Sequence, residues 1–118
     1  MKRSNIYRDM TIGSVSERQI GERIRVAGWI ENIRDHGGVS FLDLRDMYGV
    51  LQVVIRTPGL LKGLVRETCI TVEGPVEKRD AETYNPRIPS GTIELEAGEI
   101  TVLGKVYGQL PFEVMTSR

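Results

Sequence analysis

Residues 34–54 read "RDHGGVSFLDLRDMYGVLQVV", and their alternation decides the fold. Leu42 and Leu44 share one parity, and Leu51, Val53 and Ile55 repeat the pattern after "MYG", so two strands each turn one face inward. The opposite parity carries Val39, Phe41, Asp43 and Arg45 on one strand, and Val50, Gln52 and Val54 on the next. "DHGG" is a turn whose paired glycines permit positive φ, and "MYG" is the turn between the two strands. The reading therefore sets a phenylalanine and an amide on one outer surface, among charged residues.

Outward from this pair, the same signals recur at near-regular spacing, as in an all-β barrel or sandwich. "RIRVAGWIENIR" (Arg23–Arg34) is the preceding strand, with Ile24, Val26 and Ile30 on one parity. Arg34 shares that parity and would point inward unless a bulge intervenes. "SVSERQIGE" (Ser14–Glu22) reads as a capped single helical turn leading in. "TPGLLKGLVR" (Thr57–Arg66) reads as a short helix, with Thr57 as cap, Pro58 in the first turn, and Leu60, Leu61, Leu64 and Val65 on one face. A fourth strand follows in "ETCITVEGPVEKR", then the polar loop "DAETYNPRIPSG", then a fifth strand in "TIELEAGEITVLGKV". In the last, Ile93, Leu95 and Ala97 face inward, and Thr92, Glu94 and Glu96 are expected to be exposed. Five strands with a short helix between the third and fourth match the five-stranded Greek-key barrel called the OB-fold. Its ligand face is strands two and three, flanked by the loops joining strands one to two and four to five. A small sandwich fits the same spacing. The barrel is expected over residues 1–112, with 113–118 as the start of a linker.

Composition narrows the function. The 118 residues, 40% hydrophobic, suffice for one domain with its own core. Lys plus Arg and Asp plus Glu both number 16, so no global field draws in a polyanion, and any nucleic-acid role must rest on a local patch. The single cysteine, Cys69, rules out an internal disulfide and reads as core. No signal-peptide pattern and no apolar run near the roughly 20 residues of a membrane span is present, so a cytoplasmic domain without membrane contact is expected.

The residues are poorly suited to catalysis and well suited to recognition. His36 has no carboxylate at a recognisable spacing, no serine stands in a nucleophile motif, and "GVSFLDLRDMYG" has neither a P-loop lysine nor GxGxxG spacing. Taken singly, Phe41 reads as a partial-core or interface residue, Gln52 as solvated, Glu94 beside Glu96 as a polar face and His36 as a turn residue. Asp43 and Asp46 around Arg45 read as a cross-strand ion-pair cluster. Together, however, they suit an unstacked base. An aromatic ring is a stacking platform, an amide or guanidinium pairs with a base edge, and a carboxylate accepts the amino and imino hydrogens of guanine. Such a set reads a few loop bases better than it coats a long strand.

The combination GW-x4-RDHGG-x2-F-x-DLRD-x2-G-x2-Q, followed by NP-x3-SG-x-IE, closely resembles the N-terminal anticodon-binding domain of bacterial-type aspartyl-tRNA synthetases. The resemblance runs from about Tyr7 to Phe112. It implies that Phe41 stacks on the central anticodon base, that Arg34 and Gln52 hydrogen-bond around it, and that Glu94 reads a guanine at the first position. Arg79 and Asn85 match positions that approach the third base. His36 lies in the turn whose identity bears on whether the asparagine anticodon is also accepted. The implied partner is the tRNA(Asp) anticodon stem-loop, with a G-U-C core. The implied parent enzyme is a homodimer, and the isolated domain is a candidate monomer. The family's chain continues into a catalytic domain whose class II motifs bind ATP, aspartate and magnesium. None of those motifs is in this sequence, so no cofactor and no catalysis is expected in this domain. The segment after strand three is also shorter than in many members. The expectation is an excised tRNA-reading domain. A free-standing OB-fold protein for single-stranded nucleic acid, or a protein-interaction module with Phe41 in the contact, are the alternatives.

Overall fold

The computed structural model describes residues 9–61, 63–88 and 90–104. Its strands are β1 (Arg23–His36), β2 (Val39–Asp46), β3 (Gly49–Ile55), β4 (Cys69–Lys78), β5 (Ile93–Glu96) and β6 (Glu99–Gly104). β1 runs antiparallel to β2 and to β4, β2 antiparallel to β3, β3 parallel to β5, and β5 antiparallel to β4. That circuit closes a five-stranded barrel of mixed pairing, as expected of an OB-fold. β6 continues β5 along β4.

The break between β5 and β6 departs from the single fifth strand read in the sequence, and the register explains it. Leu95 pairs with Val76 and Glu99 with Glu73, so three residues, Glu96–Gly98, face two, Gly74 and Pro75. This is a β-bulge, which sharpens the bend a small barrel needs. The backbone is satisfied on both sides of it: the Ala97 N–H donates to the Val54 carbonyl at 2.9 Å and the Gly98 N–H to that of Glu73 at 2.8 Å. The end of the expected strand and the proposed linker lie outside the described residues.

A second bulge sits in β1. Ile30 pairs with Leu44 but Asn32 with Asp43, so Glu31 is the extra residue. Before it, Ile24, Val26 and Ile30 are buried in the barrel; after it, Ile33 packs against the core and Arg34 pairs with Phe41 on the outside. A bulge does intervene, and it turns Arg34 from the inward parity to the outer face. The β1–β2 turn has two residues, Gly37 and Gly38, at φ 58° and 91°. Positive φ at both positions matches the right-handed twist of the flanking strands, and glycine adopts it without strain.

The barrel interior holds Leu42, Leu44, Leu51, Val53, Ile70, Val72, Val76, Ile93 and Leu95, and Ile12 from the first 3-10 turn joins the same core. Cys69 is fully buried, and burial pushes its thiol up to about 11, so it is inert packing. One local reading is corrected. Thr57–Arg66 forms only one 3-10 turn, Pro58–Leu61, and Gly63, at φ 83°, is not helical, so the turn does not extend through the segment. Leu60 and Leu64 reach the core but Val65 is exposed. The capped single turn read in Ser14–Glu22 is present as the 3-10 turn Glu17–Gln19, closed by a capping box between Ser16 and Gln19, and a further 3-10 turn, Ile12–Ser14, precedes it.

Asp43, Arg45 and Asp46 do not form one ion-pair cluster either. Asp46 is buried in the β2–β3 turn, where Oδ1 accepts from the Tyr48 and Gly49 N–H groups and Oδ2 from that of Ile12. Arg45 pairs with Glu31, and Asp43 with Arg34.

Candidate nucleic-acid interface

Register aligns the outer face in two rows. One runs Arg34–Phe41–Val54–Glu96 and the other Asn32–Asp43–Gln52–Glu94. The first supplies a platform: Phe41 is partly buried, outside the core cluster, and the His36 ring meets it edge-on at a centroid distance of 5.8 Å. A T-shaped contact is not a stack, and Phe41 also lines an open groove, within reach of a further flat group.

The second row supplies polarity. Asp43 takes both terminal nitrogens of Arg34, at 2.7 and 3.2 Å. Arg34 Nη2 also donates to Gln52 Oε1 at 3.2 Å, and Gln52 Nε2 donates to Glu94 Oε1 at 2.9 Å. The neighbours dictate the amide orientation, since a carbonyl belongs beside a guanidinium and an NH2 beside a carboxylate. Gln52 is 6% and Glu94 9% exposed, which corrects the expectation that both stand in solvent. Their strands are flanked on both sides in the barrel, so outward parity there does not mean exposure. Desolvation lifts the Glu94 carboxyl above its ordinary range, outweighing the Gln52 hydrogen bond and the nearby Arg56 and Arg79. The bond to Asp43 raises Arg34 still further above its ordinary value, so it stays charged.

The loop after β4 makes the facing wall. Arg79 is only 6% exposed, with Nε donating to the Ile93 carbonyl at 3.0 Å and Nη1 to the Thr83 carbonyl at 2.8 Å. Burial lowers its pKa, with Glu94 and Asp43 acting in the opposite sense. Asn85 is held by the loop it opens: its N–H donates to the Gly91 carbonyl and its Oδ1 accepts from the Arg87 N–H. Gly91 is required there, because a Cβ would lie 1.7 Å from the Asn85 carbonyl oxygen.

Between these walls lies an open groove of about 430 Å³, lined by Arg34, His36, Phe41, Gln52, Arg79, Thr83 and Asn85. Six of the seven residues singled out in the sequence line it. Glu94 stands behind Gln52, bonded to it but not in the lining. Thr83 is the one lining residue sequence reasoning missed. It reaches the groove because Arg79 grips its carbonyl, and no local pattern marks it. Among the described residues no group of His, Cys, Asp and Glu could hold a metal ion, and no helix is long and apolar enough to cross a membrane. The groove offers a stacking surface, two guanidinium groups and two amides, with the carboxylates of Asp43 and Glu94 behind them, bonded to Arg34 and Gln52. That is equipment for discriminating flat hydrogen-bonding groups.

Comparison with known proteins agrees. Residues 24–103 match the tRNA anticodon family, described as an OB-fold nucleic acid binding domain. The chain is 44% identical over 114 residues to the aspartate–tRNA ligase of Streptomyces griseus, covering 93% of this chain and 19% of that protein. It is 43% identical over 112 residues to the aspartate–tRNA(Asp/Asn) ligase of a Bradyrhizobium species, covering 92% and 19%. The chain thus spans about a fifth of the length of these curated relatives. Among solved structures, asparaginyl-tRNA synthetase from Pyrococcus horikoshii is similar at a TM-score of 0.66 and 27% identity, over 82% of this chain and 23% of that one. An OBody bound to hen egg-white lysozyme shares the fold, with a TM-score of 0.71 at 21% identity over 84% of this chain and 97% of its own.

Proposed function

The chain belongs to the tRNA anticodon family of OB-fold nucleic-acid-binding domains, and on that premise we propose that it reads the G-U-C anticodon loop of tRNA(Asp). It does so as the recognition domain of an ATP-dependent, cytoplasmic, homodimeric aspartate–tRNA ligase. The observation that carries this reading is the groove itself, which sets the Phe41 platform beside the hydrogen-bonded line Arg34–Gln52–Glu94. Phe41 stacks on the central base, a contact worth about 1–3 kcal/mol. Arg34 and Gln52 pair with that base's edge. Glu94 serves the guanine: its Oε1 is taken by Gln52, and as a buried acceptor it gains from the donors of a guanine edge. Arg79 and Asn85, on the facing wall, take the third base, and His36 edges the central one. ATP, aspartate and magnesium belong to a catalytic domain outside these residues.

The test is a titration of the chain with an anticodon stem-loop carrying G-U-C and with the same loop scrambled. The readout is the ratio of affinities, because a whole ligase makes further contacts with its tRNA. A clear preference for G-U-C is expected. Equal binding, with a steep salt dependence, would identify a sequence-tolerant single-strand binder. No binding to either loop, together with self-association, would identify a protein-interaction module.

A further inference from the structure

Asp43 has no base to read in this scheme, yet it makes the shortest polar contact of the groove's Arg34. It stands opposite Gln52 in the β2–β3 ladder, and its two oxygens face both ends of the Arg34 fork. A guanidinium has five N–H donors. Among the described residues two go to Asp43 and one to Gln52, which leaves the Nε–H and one Nη1–H, on opposite edges of the fork, with their directions set. Without the carboxylate, the only polar partner left to Arg34 among the described residues is one amide oxygen. A long cationic side chain so lightly held would serve any phosphate within reach.

We propose that Asp43 is a positioning residue that makes Arg34 a directional base reader, by holding its fork against Gln52 and by cancelling its charge toward the phosphate backbone. This deepens the anticodon reading above and rests on it. Two consequences separate it from a merely structural role. Asp43→Asn keeps the shape and removes the charge, so it should lower discrimination between the G-U-C loop and a loop altered only at the central base. The loss should be about tenfold, at the low end of the discrimination that a good base contact gives. The same change should strengthen binding to the mismatched loop and steepen its salt dependence, by roughly 0.7 in the log–log slope for each added phosphate contact.

The experiment measures both loops, at several salt concentrations, against the parent chain, Asp43→Asn, Arg34→Ala and the double variant, with thermal melting of each. Asp43→Asn should fold, because Asp43 lies on the outer face, and should cost nothing further in selectivity once Arg34 is already alanine. Asp43→Glu, which keeps the charge, should restore part of the selectivity. An unchanged ratio in Asp43→Asn, additive losses in the double variant, or unfolding of Asp43→Asn would each overturn the inference. A parent chain that fails to discriminate G-U-C at all would instead sink the anticodon reading beneath it.

Discussion

Phe41 and Leu42 are adjacent on β2, yet they answer to different partners. Leu42 is fully buried in the barrel, packed among residues from every side of the sheet. Phe41 is held from outside, by one histidine edge and its ladder neighbours Arg34 and Val54. The inner face closes on itself, whereas among the described residues the outer face borders an open groove lined by Phe41, Arg34, Gln52 and Asn85. Stability should therefore reside on one side of the strand and recognition on the other.

The largest effect expected from this division lies inside. Leu44→Ala removes a fully buried side chain and should cost about 2–5 kcal/mol of stability, read as a loss in the denaturation midpoint. Under conditions where the variant remains folded, its preference for the G-U-C loop should not change. The mirror experiment is Phe41→Ala, which should weaken loop binding by about 1–3 kcal/mol through lost stacking. It should shift the midpoint far less than Leu44→Ala. A midpoint loss as large as that of Leu44→Ala would make Phe41 a core residue and erase the contrast.

Strand phase alone makes most of this division legible, because alternation assigns every β2 and β3 side chain to a face. Every residue read as inward, Leu42, Leu44, Leu51, Val53 and Ile55, is buried, but so are the outward-phase Gln52 and Val54. Phase fails where the ladder has an odd residue. Arg34 lies on the wrong parity until Glu31 bulges out, and the fifth strand is one element in sequence but two in space because Glu96–Gly98 oppose only two residues. Phase also says nothing about what lies over an outward residue, so Gln52 and Glu94 were expected in solvent. Thr83 enters through a tertiary contact with Arg79, which no local pattern encodes.

Burial of Glu94 supplies a pH test in which the two properties part company. Its folded-state pKa is raised, so ionised Glu94 costs stability above its unfolded pKa, and acid relieves that cost as pH falls through the folded value. Binding runs the other way, because guanine needs the ionised acceptor. Preference for the guanine-carrying loop should decline on acidification, starting above the ordinary carboxylate range and by no more than about tenfold per pH unit. Glu94→Gln should flatten that profile. An unaltered profile in the variant would remove Glu94 from the reading.

The smallest expected effect compares two ion pairs with the same contact distance. Arg34–Asp43 and Arg45–Glu31 each have an N···O separation of 2.7 Å, and both arginine side chains are 40% exposed. They differ in surroundings. Asp43 is 22% exposed, contacts both ends of its arginine and joins the line to Gln52 and Glu94, whereas Glu31 is 39% exposed and meets Arg45 through Nε alone. A single-contact pair in water has weak Coulomb attraction and must hold two long side chains still, so Arg45→Ala should change stability by less than about 1 kcal/mol. It should leave the preference for the G-U-C loop untouched, since Arg45 does not line the groove. A measured loss of that preference would extend the recognition surface along β2 toward Glu31. The outer face would then read its ligand over a longer stretch than the groove spans.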